Sequence, residues 1–407
     1  LLQPGQRFHG KWSDAVPDRH SWRTTVNDTE SEIPGCNVVL TKAINSLIPK
    51  LGHPFFIVTP PYLRVSAGIT VLHLLCHYLN LSGESAFIVH QPPEHDPIRS
   101  LPSHATLQMQ REFPGGMLAP LITQNVLDFY DEQRLTPIVI YPELFDNPFK
   151  SRFFGRYILN YPGQLNARYE EHEFFGFAYT KILADHCTDA FPEHPPITDI
   201  LFVPTPDLDF WNTQGATKTR QGTCYYAGKM KATQGKTPDN VPDGSVEILR
   251  SNHMSRMQVR ELFWKSEVFY CYEDTALMIE ARLCGCPTVC VPTEQFSGVN
   301  LASNELGTDG WCVAGEVGGL DRAKATVGHF DQIIRSHMAL VPGRIAELAS
   351  KWKALAARQE YRGTISYPLE PRLVFFHQRV PARLDFDPDD RNLRARGRLS
   401  MTVFLSR

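Results

Sequence analysis

Four short stretches place reactive groups directly after an apolar run. The segment 138–143, Ile-Val-Ile-Tyr-Pro-Glu, closes a buried strand pattern with a carboxylate. Polar groups just past the carboxyl end of a strand in an α/β sheet are placed to enter a cleft, so Glu143 is the leading candidate for a general base. The segment 225–231, Tyr-Tyr-Ala-Gly-Lys-Met-Lys, sets Gly228 and Lys229 at another strand end, with Lys231 in reserve. Glycine there admits a ligand close to the backbone, and an ammonium offsets charge growing on a phosphate. The segment 269–292, Phe-Tyr-Cys-Tyr-Glu-Asp-Thr-Ala-Leu-Met-Ile-Glu through Cys-Val-Pro, joins a strand, an acidic loop, a helix start and a second strand. Free amides and the positive dipole end at that helix start attract anions, which makes Asp274, Thr275 and Ala276 the border of an anion site. Finally, 59–68 links a strand to a helix through Ser66, Ala67 and Gly68, whose amides face the same kind of space, although the spacing is not that of a P-loop.

Other reactive residues have plainer readings. His73 and His77 lie four apart on one helix face, but Leu74, Leu75 and Cys76 stand between them where a zinc protease carries its glutamate, so both are expected to be core histidines. Asp207-Leu208-Asp209 has the letters of a pair that holds a divalent cation. It is the basis of a rival, metal-dependent mechanism, and the favoured reading is metal-independent. Cys284 and Cys286 flank Gly285 with no histidine-rich partner segment and are expected to be small core residues. Arg156, His172 and Glu173 are second-rank cleft or acceptor candidates, and 170–173 also fits a solvated acidic turn.

The elements that must position these groups alternate strand and helix. Strands are predicted at Phe55–Thr59, 85–89 and 137–141 around a strong helix over 69–79, then at 200–203, 223–227, 246–249, 268–272 and 288–291, with a helix over 275–283. This pattern is α/β with parallel sheets. Polar residues 1–36 form an extended lead-in, and the proline-rich 191–196 marks a boundary near 195. The expected organisation is a first α/β domain over 37–195, a second over 196–340, and helices at 320–338 and 345–361 leading to a bracing and arginine-rich end over 341–407. Arg391, Arg394, Arg396 and Arg398 in that end read first as a solvated tail and second as an anionic membrane or partner contact.

With 407 residues and 42% hydrophobic content the chain is long enough for two cores. Its formal charge of −3 supplies no basic field for nucleic acid. Nine cysteines without CxxC spacing suit a reducing compartment, and cytoplasm is the expected location. No apolar run approaches the roughly 20 residues of a membrane helix. The chain starts with Leu, which leaves room for flanking domains.

The stretch 269–292, with Glu280-Ala281 in its helix and Gly-Cys-Pro before the next strand, resembles the donor-binding half of GT-B glycosyltransferases; the resemblance covers about residues 200–300, and 55–165 resembles their first half more loosely. The resemblance implies two Rossmann-like domains facing across a cleft. It also implies a nucleotide-sugar as substrate, no tightly bound cofactor, Glu280 on the ribose hydroxyls, and Lys229 with the 274–277 amides on the diphosphate. In an inverting enzyme Glu143 would deprotonate the acceptor hydroxyl; in a retaining one it would position the acceptor or stabilise positive charge on the sugar. Many retaining members carry two glutamates separated by seven residues, and the earlier position here is Tyr272, with Glu273 one place later, so the stereochemistry is open. The Tyr-Pro-Glu, Arg-Tyr and Asn-Tyr-Pro-Gly elements look like those of bacterial polysaccharide assembly, which implies an oligosaccharide or lipid-linked glycan acceptor at the inner membrane face. Alternatives are a non-catalytic nucleotide-sugar or glycan-binding module of a larger assembly protein, a metal-dependent GT-A transferase using Asp207 and Asp209, and an epimerase or phosphorylase on the same scaffold. Glu280 taken alone also fits an ordinary helix residue.

Overall fold

The first strand, β1 (Phe55–Thr59), is buried at every position. A strand with no solvent face belongs in a sheet covered on both sides. Its alternate residues enter two different cores. Phe55 and Ile57 pack with the helix α1 (Ala67–Leu81), while Phe56 and Val58 pack with α2 (Gln124–Glu132). The structure, a computed structural model, describes residues 48–63, 66–90, 117–162, 175–228, 230–231, 235–249, 254–294 and 296–365, with the backbone of 374–377 and 401–404.

Around β1 lie β2 (Ala86–His90), β3 (Ile138–Pro142), β4 (Phe154–Ile158), β5 (Phe175–Ala178) and β6 (Asp199–Ile200), followed and preceded by α3 (Lys181–Ala190). They form one parallel sheet in the order β2-β1-β3-β4-β5-β6. A second parallel sheet, β11-β10-β9-β7-β8, is built from β7 (Thr223–Tyr226), β8 (Val246–Glu247), β9 (Val268–Cys271), β10 (Thr288–Cys290) and β11 (Trp311–Val313). Its helices are α4 (Arg256–Lys265), α5 (Leu277–Leu283), the short α6 (Ser303–Leu306) and α7 (Gly319–Thr326). The expected α/β class with two parallel sheets is therefore present. A final antiparallel pair joins β12 (Val374–His377) and β13 (Met401–Phe404).

Two features differ from the sequence-based boundaries. The strand expected to open the second domain is β6, and it pairs with β5 in the first sheet. The crossover thus follows it: Leu201 and Val203 face the first core and Phe202 faces the second, so the boundary near 195 is displaced to 201–203. The two late helices predicted on either side of Pro342 run together as α8 (Phe330–Ala356). Its first turns put Phe330 and Ile334 into the second core, and its later turns put Val341, Ile345, Leu348 and Trp352 into the first. Brace and second domain therefore overlap from 330 onward. The lead-in 1–36 and the arginine-rich segment 391–398 lie outside the described residues. Among the described residues, no helix is long and apolar enough to cross a membrane.

Candidate functional site

In the first sheet the chain runs from β1 outward to β2, then resumes on the other side of β1 with β3. In the second it runs from β7 to β8, then resumes beside β7 with β9. Each sheet therefore has a topological switch point, the place where open α/β sheets leave a crevice outside their carboxyl ends. The loop after β1 carries Ser66, the first turn of α1 carries Gly68 and the loop after β3 carries Glu143; the loops after β7 and β9 carry Gly228, Asp274, Thr275 and Ala276. The sequence candidates thus occupy both switch points.

The two carboxyl edges meet. Lys181, at the start of α3 after β5, donates its amide to Glu305 Oε1 of α6, after β10, at 2.7 Å. Asp274 acts electrostatically on Tyr161 and Tyr179, which follow β4 and β5, and raises both phenols together with burial, burial being the larger cause. Leu301, from the loop after β10, packs among Ile158, Ala178 and Leu183 of the first unit. Asp274 also accepts from the Leu301 amide at 3.3 Å, tying the loops after β9 and β10 together on the second side of this seam.

Glu143 stands at the first switch point with 3% of its surface exposed. Burial raises its carboxyl from 4.5 to about 7, opposed by the Leu159 amide, its own amide and the Arg156 guanidinium. The Leu159 amide donates to Glu143 Oε2 at 2.9 Å. The same Leu159 lies beside the start of α1, its Cδ1 3.7 Å from where a Cβ on Gly68 would be. Ser66 caps α1, its hydroxyl accepting from the Ile69 amide at 3.4 Å while its own amide donates to Leu63. The Ser66 amide is thus spent within the loop; among the described residues those of Ala67 and Gly68 are not. A positive helix end and a carboxylate held near neutrality therefore share one corner.

On the other side, the Thr275 hydroxyl accepts from the Leu277 amide, and the Ala276 carbonyl takes the amides of Ile279 and Glu280, starting α5. Gly285 ends that helix at φ +72°, as a glycine should. Glu280 stands in the first turn, half buried. A Cβ on Gly228 would come within 2.5 Å of the Tyr226 hydroxyl, so a side chain there would have to displace the end of that tyrosine. Lys229 and His172 lie outside the described residues. The reserve Lys231 is engaged, with Nζ 2.6 Å from Glu247 Oε2.

Several expectations change. Arg156 is fully buried inside β4 rather than in the cleft, because its guanidinium is turned to the carbonyls of Pro142 and Phe145. Tyr141 and Tyr157 are buried as well, the latter donating to the Leu201 carbonyl. Tyr141 and the Arg156-Tyr157 pair are thus framework for the sheet, and of Tyr-Pro-Glu only Glu143 remains a candidate for chemistry. Asp207 Oδ1 accepts from the amides of Asp209 and Phe210, and its Oδ2 faces Arg256 at 3.4 Å, so its carboxylate is committed to its own turn. His73 and His77 are both lowered to about 4 by burial, as neutral core groups. His73 Nδ1 bonds the Ile69 carbonyl and His77 Nδ1 accepts from the Leu118 amide, each at 2.8 Å. The cysteines among the described residues are buried and none forms a disulfide, Cys284 and Cys286 included.

Sequence reasoning overlooked Asn300 and Glu305. Asn300 is 3% exposed, and its Nδ2 has no partner among the described residues, nor has Glu305 Oε2. Buried unpaired polar atoms are few in native structures and concentrate where ligands or ordered water complete them. No sequence motif flags them; only the meeting of the two edges does.

No family model matches the chain, and no curated protein matches it. Among solved structures it is similar to a glycosyltransferase from Rickettsia africae ESF-5, at 9% identity and a TM-score of 0.45, over 76% of this chain and 100% of that one. The glycosyltransferase SnogD from Streptomyces nogalater matches at 11% identity and a TM-score of 0.36, over 75% and 99%. The spinosyn rhamnosyltransferase SpnG complexed with thymidine diphosphate matches at 10% and 0.33, over 75% and 99%. At such identities the chemistry must be judged from this chain's own residues.

Proposed function

We propose that this chain is a glycosyltransferase of the GT-B type, transferring a sugar from a nucleotide-sugar to a hydroxyl acceptor without a metal. The observation that supports the reading is a pair of parallel sheets whose carboxyl edges meet through Lys181 and Glu305, with the buried carboxylate of Glu143 at the switch point of the first sheet and the 274–276 helix-start loop at that of the second. Glu143 would take the acceptor proton as the acceptor oxygen bonds the anomeric carbon and the bond from that carbon to phosphate breaks. The nucleoside diphosphate leaves with the electron pair. A base poised near the working pH suits this task. With so little exposed surface, Glu143 takes a proton only from a group that reaches into the seam, which disfavours bulk water as its partner. Gly228, Lys229 and the 274–276 loop would hold the diphosphate, and Glu280 the ribose. A glycan acceptor of bacterial surface polysaccharide synthesis is the class we propose from the sequence resemblance.

The test is a thermal-shift screen against UDP, GDP, dTDP, CMP and their sugars, on the parent chain, Glu280→Ala, Lys229→Ala and Glu143→Gln, followed by transfer assays with the nucleotide that binds. Expected are a shift for one nucleotide, lost in the first two variants and kept in Glu143→Gln, and transfer abolished in Glu143→Gln. Binding without transfer by the parent would favour a non-catalytic nucleotide-sugar module. No shift with any nucleotide would sink the donor pocket.

A further inference from the structure

Arg156 belongs to β4 and is register-paired with Tyr141 on β3, one strand over from the chain that ends in Pro142 and Glu143. Its Nη1 donates to the Phe145 carbonyl and approaches the Pro142 carbonyl at 3.5 Å. Those two carbonyls stand on either side of Glu143 in the chain, so the guanidinium fills the arch of the turn that carries the carboxylate. The next part of the loop is braced separately. Asn147 Oδ1 accepts from the Tyr141 hydroxyl at 3.0 Å and from the Ser151 amide at 2.8 Å.

Burying a guanidinium is costly, and two carbonyls could be served by a neutral donor. A cation at this place does something a neutral donor cannot, because the carboxylate it stands beside is itself stripped of water. Among the described residues, the charged and titratable groups acting on Glu143 are Arg156 from β4 and the Cys187 thiol from α3; the larger stabilisation there is from amides. The Cys187 thiol is raised to about 12 by burial and by Glu143 and stays neutral, leaving Arg156 as the charge that favours the carboxylate.

We infer that Arg156 is a positioning residue: its guanidinium holds the two carbonyls flanking Glu143 and supplies the positive charge against which that carboxylate ionises. The inference rests on the proposed transfer reaction for its catalytic meaning, but not for its structural one. It assigns Arg156 a role in the pH dependence and rate of the reaction without contact with either substrate.

The test uses the full chain with labelled glutamate carboxyls, locating the Glu143 signal by its loss in Glu143→Gln and titrating it without any substrate. In the parent it should titrate at about 7. In Arg156→Gln, which keeps donors but no charge, the midpoint should rise, and transfer at pH 7 should fall, by about fivefold for a rise of about one unit, be recovered at higher pH, and leave KM for the donor unchanged. In Arg156→Lys, which keeps charge but loses the fork, the midpoint should stay with the parent while kcat falls at every pH. An unchanged midpoint in Arg156→Gln would overturn the charge role, and full kcat in Arg156→Lys would overturn the positioning role. If Arg156→Gln does not fold, the charge role stays falsifiable in Arg156→Lys, where a midpoint raised above the parent's with the charge retained would overturn it. Absence of transfer in the parent defeats the proposed function alone, since the titration reads Arg156 directly.

Discussion

Burial moves the ionisable residues of the first unit in opposite directions, and that sets two opposed pH dependences of stability. For Glu143 the folded carboxyl is raised from 4.5 to about 7, so the folded state holds the extra proton between those values. The stabilisation is complete below about 4.5 and is lost as pH rises towards 7, by on the order of 3 kcal/mol. Glu143→Gln keeps an acceptor for the Leu159 amide and removes the buried charge. It should therefore be more stable than the parent above pH 7 and equal to it near pH 4, as measured by urea unfolding across that range. His73 and His77 are depressed from 6.5 to about 4, so their unfolded forms hold the extra proton in that window. Their contribution is present above 6.5 and lost as pH falls to 4. His73→Phe should flatten the acid side of the parent's stability profile; His77→Gln, which can still accept from Leu118, should do the same. Variants whose profiles still fall from 6.5 to 4 with the parent's slope would assign the acid loss to other groups.

At the scale of elements, periodic runs were legible and short or polar ones were not. Phe55–Thr59 and the helix around Ile69 are readable because every position is apolar or falls on a helical stripe. β4 is overlooked because Arg156 and Gly155 interrupt its pattern, yet Gly155 lets the Phe175 ring pass within 2.1 Å of where a Cβ would be. β5, Phe-Gly-Phe-Ala, and the three-residue β11 are too short to show alternation. The placement of the candidates Glu143, Ser66, Gly68 and the 274–276 loop at the carboxyl edges was legible because each ends or follows a readable strand. Arg156 was misassigned because an arginine next to a strand end reads as a cleft residue until its carbonyl partners are seen. Pro342 shows tertiary packing prevailing over local rule: an interior proline removes a helical hydrogen bond and costs about 3 kcal/mol, yet α8 continues through it because Ile334 before it and Ile345 after it are buried in different cores. Pro342→Ala should raise the unfolding free energy by about 1–3 kcal/mol, read from denaturant midpoints. No gain would mean that the helix already bends at 342 to fit both cores, with alanine unable to straighten it.

At the scale of the molecule, three links among the described residues join the two units: the 201–203 crossover, the helix α8 and the seam between α3 and α6. The first two are covalent and apolar. Leu201 and Val203 enter one core while Phe202 enters the other, and Trp352 of α8 stacks on Phe175 and Phe177 with no exposed surface. The seam is different in kind. Thr180 caps α3 from its own chain by accepting from the Leu183 amide, whereas the Lys181 amide goes to Glu305 of the other unit. A carboxylate at a helix start gains from the dipole as well as from the hydrogen bond, so the contact favours the closed arrangement, though burial raises the Glu305 carboxyl and works against it. Glu305→Ala should leave both cores folded, since the side chain contributes no apolar packing to either, while removing this polar tie. We expect unchanged far-ultraviolet dichroism with a larger radius of gyration by small-angle scattering, and a smaller increase for Glu305→Gln, which still accepts from the amide but lacks the charge. Equal radii in all three proteins would assign closure to the Leu301 contact with Ile158, Ala178 and Leu183, and Leu301→Ala would then be the variant that opens the seam.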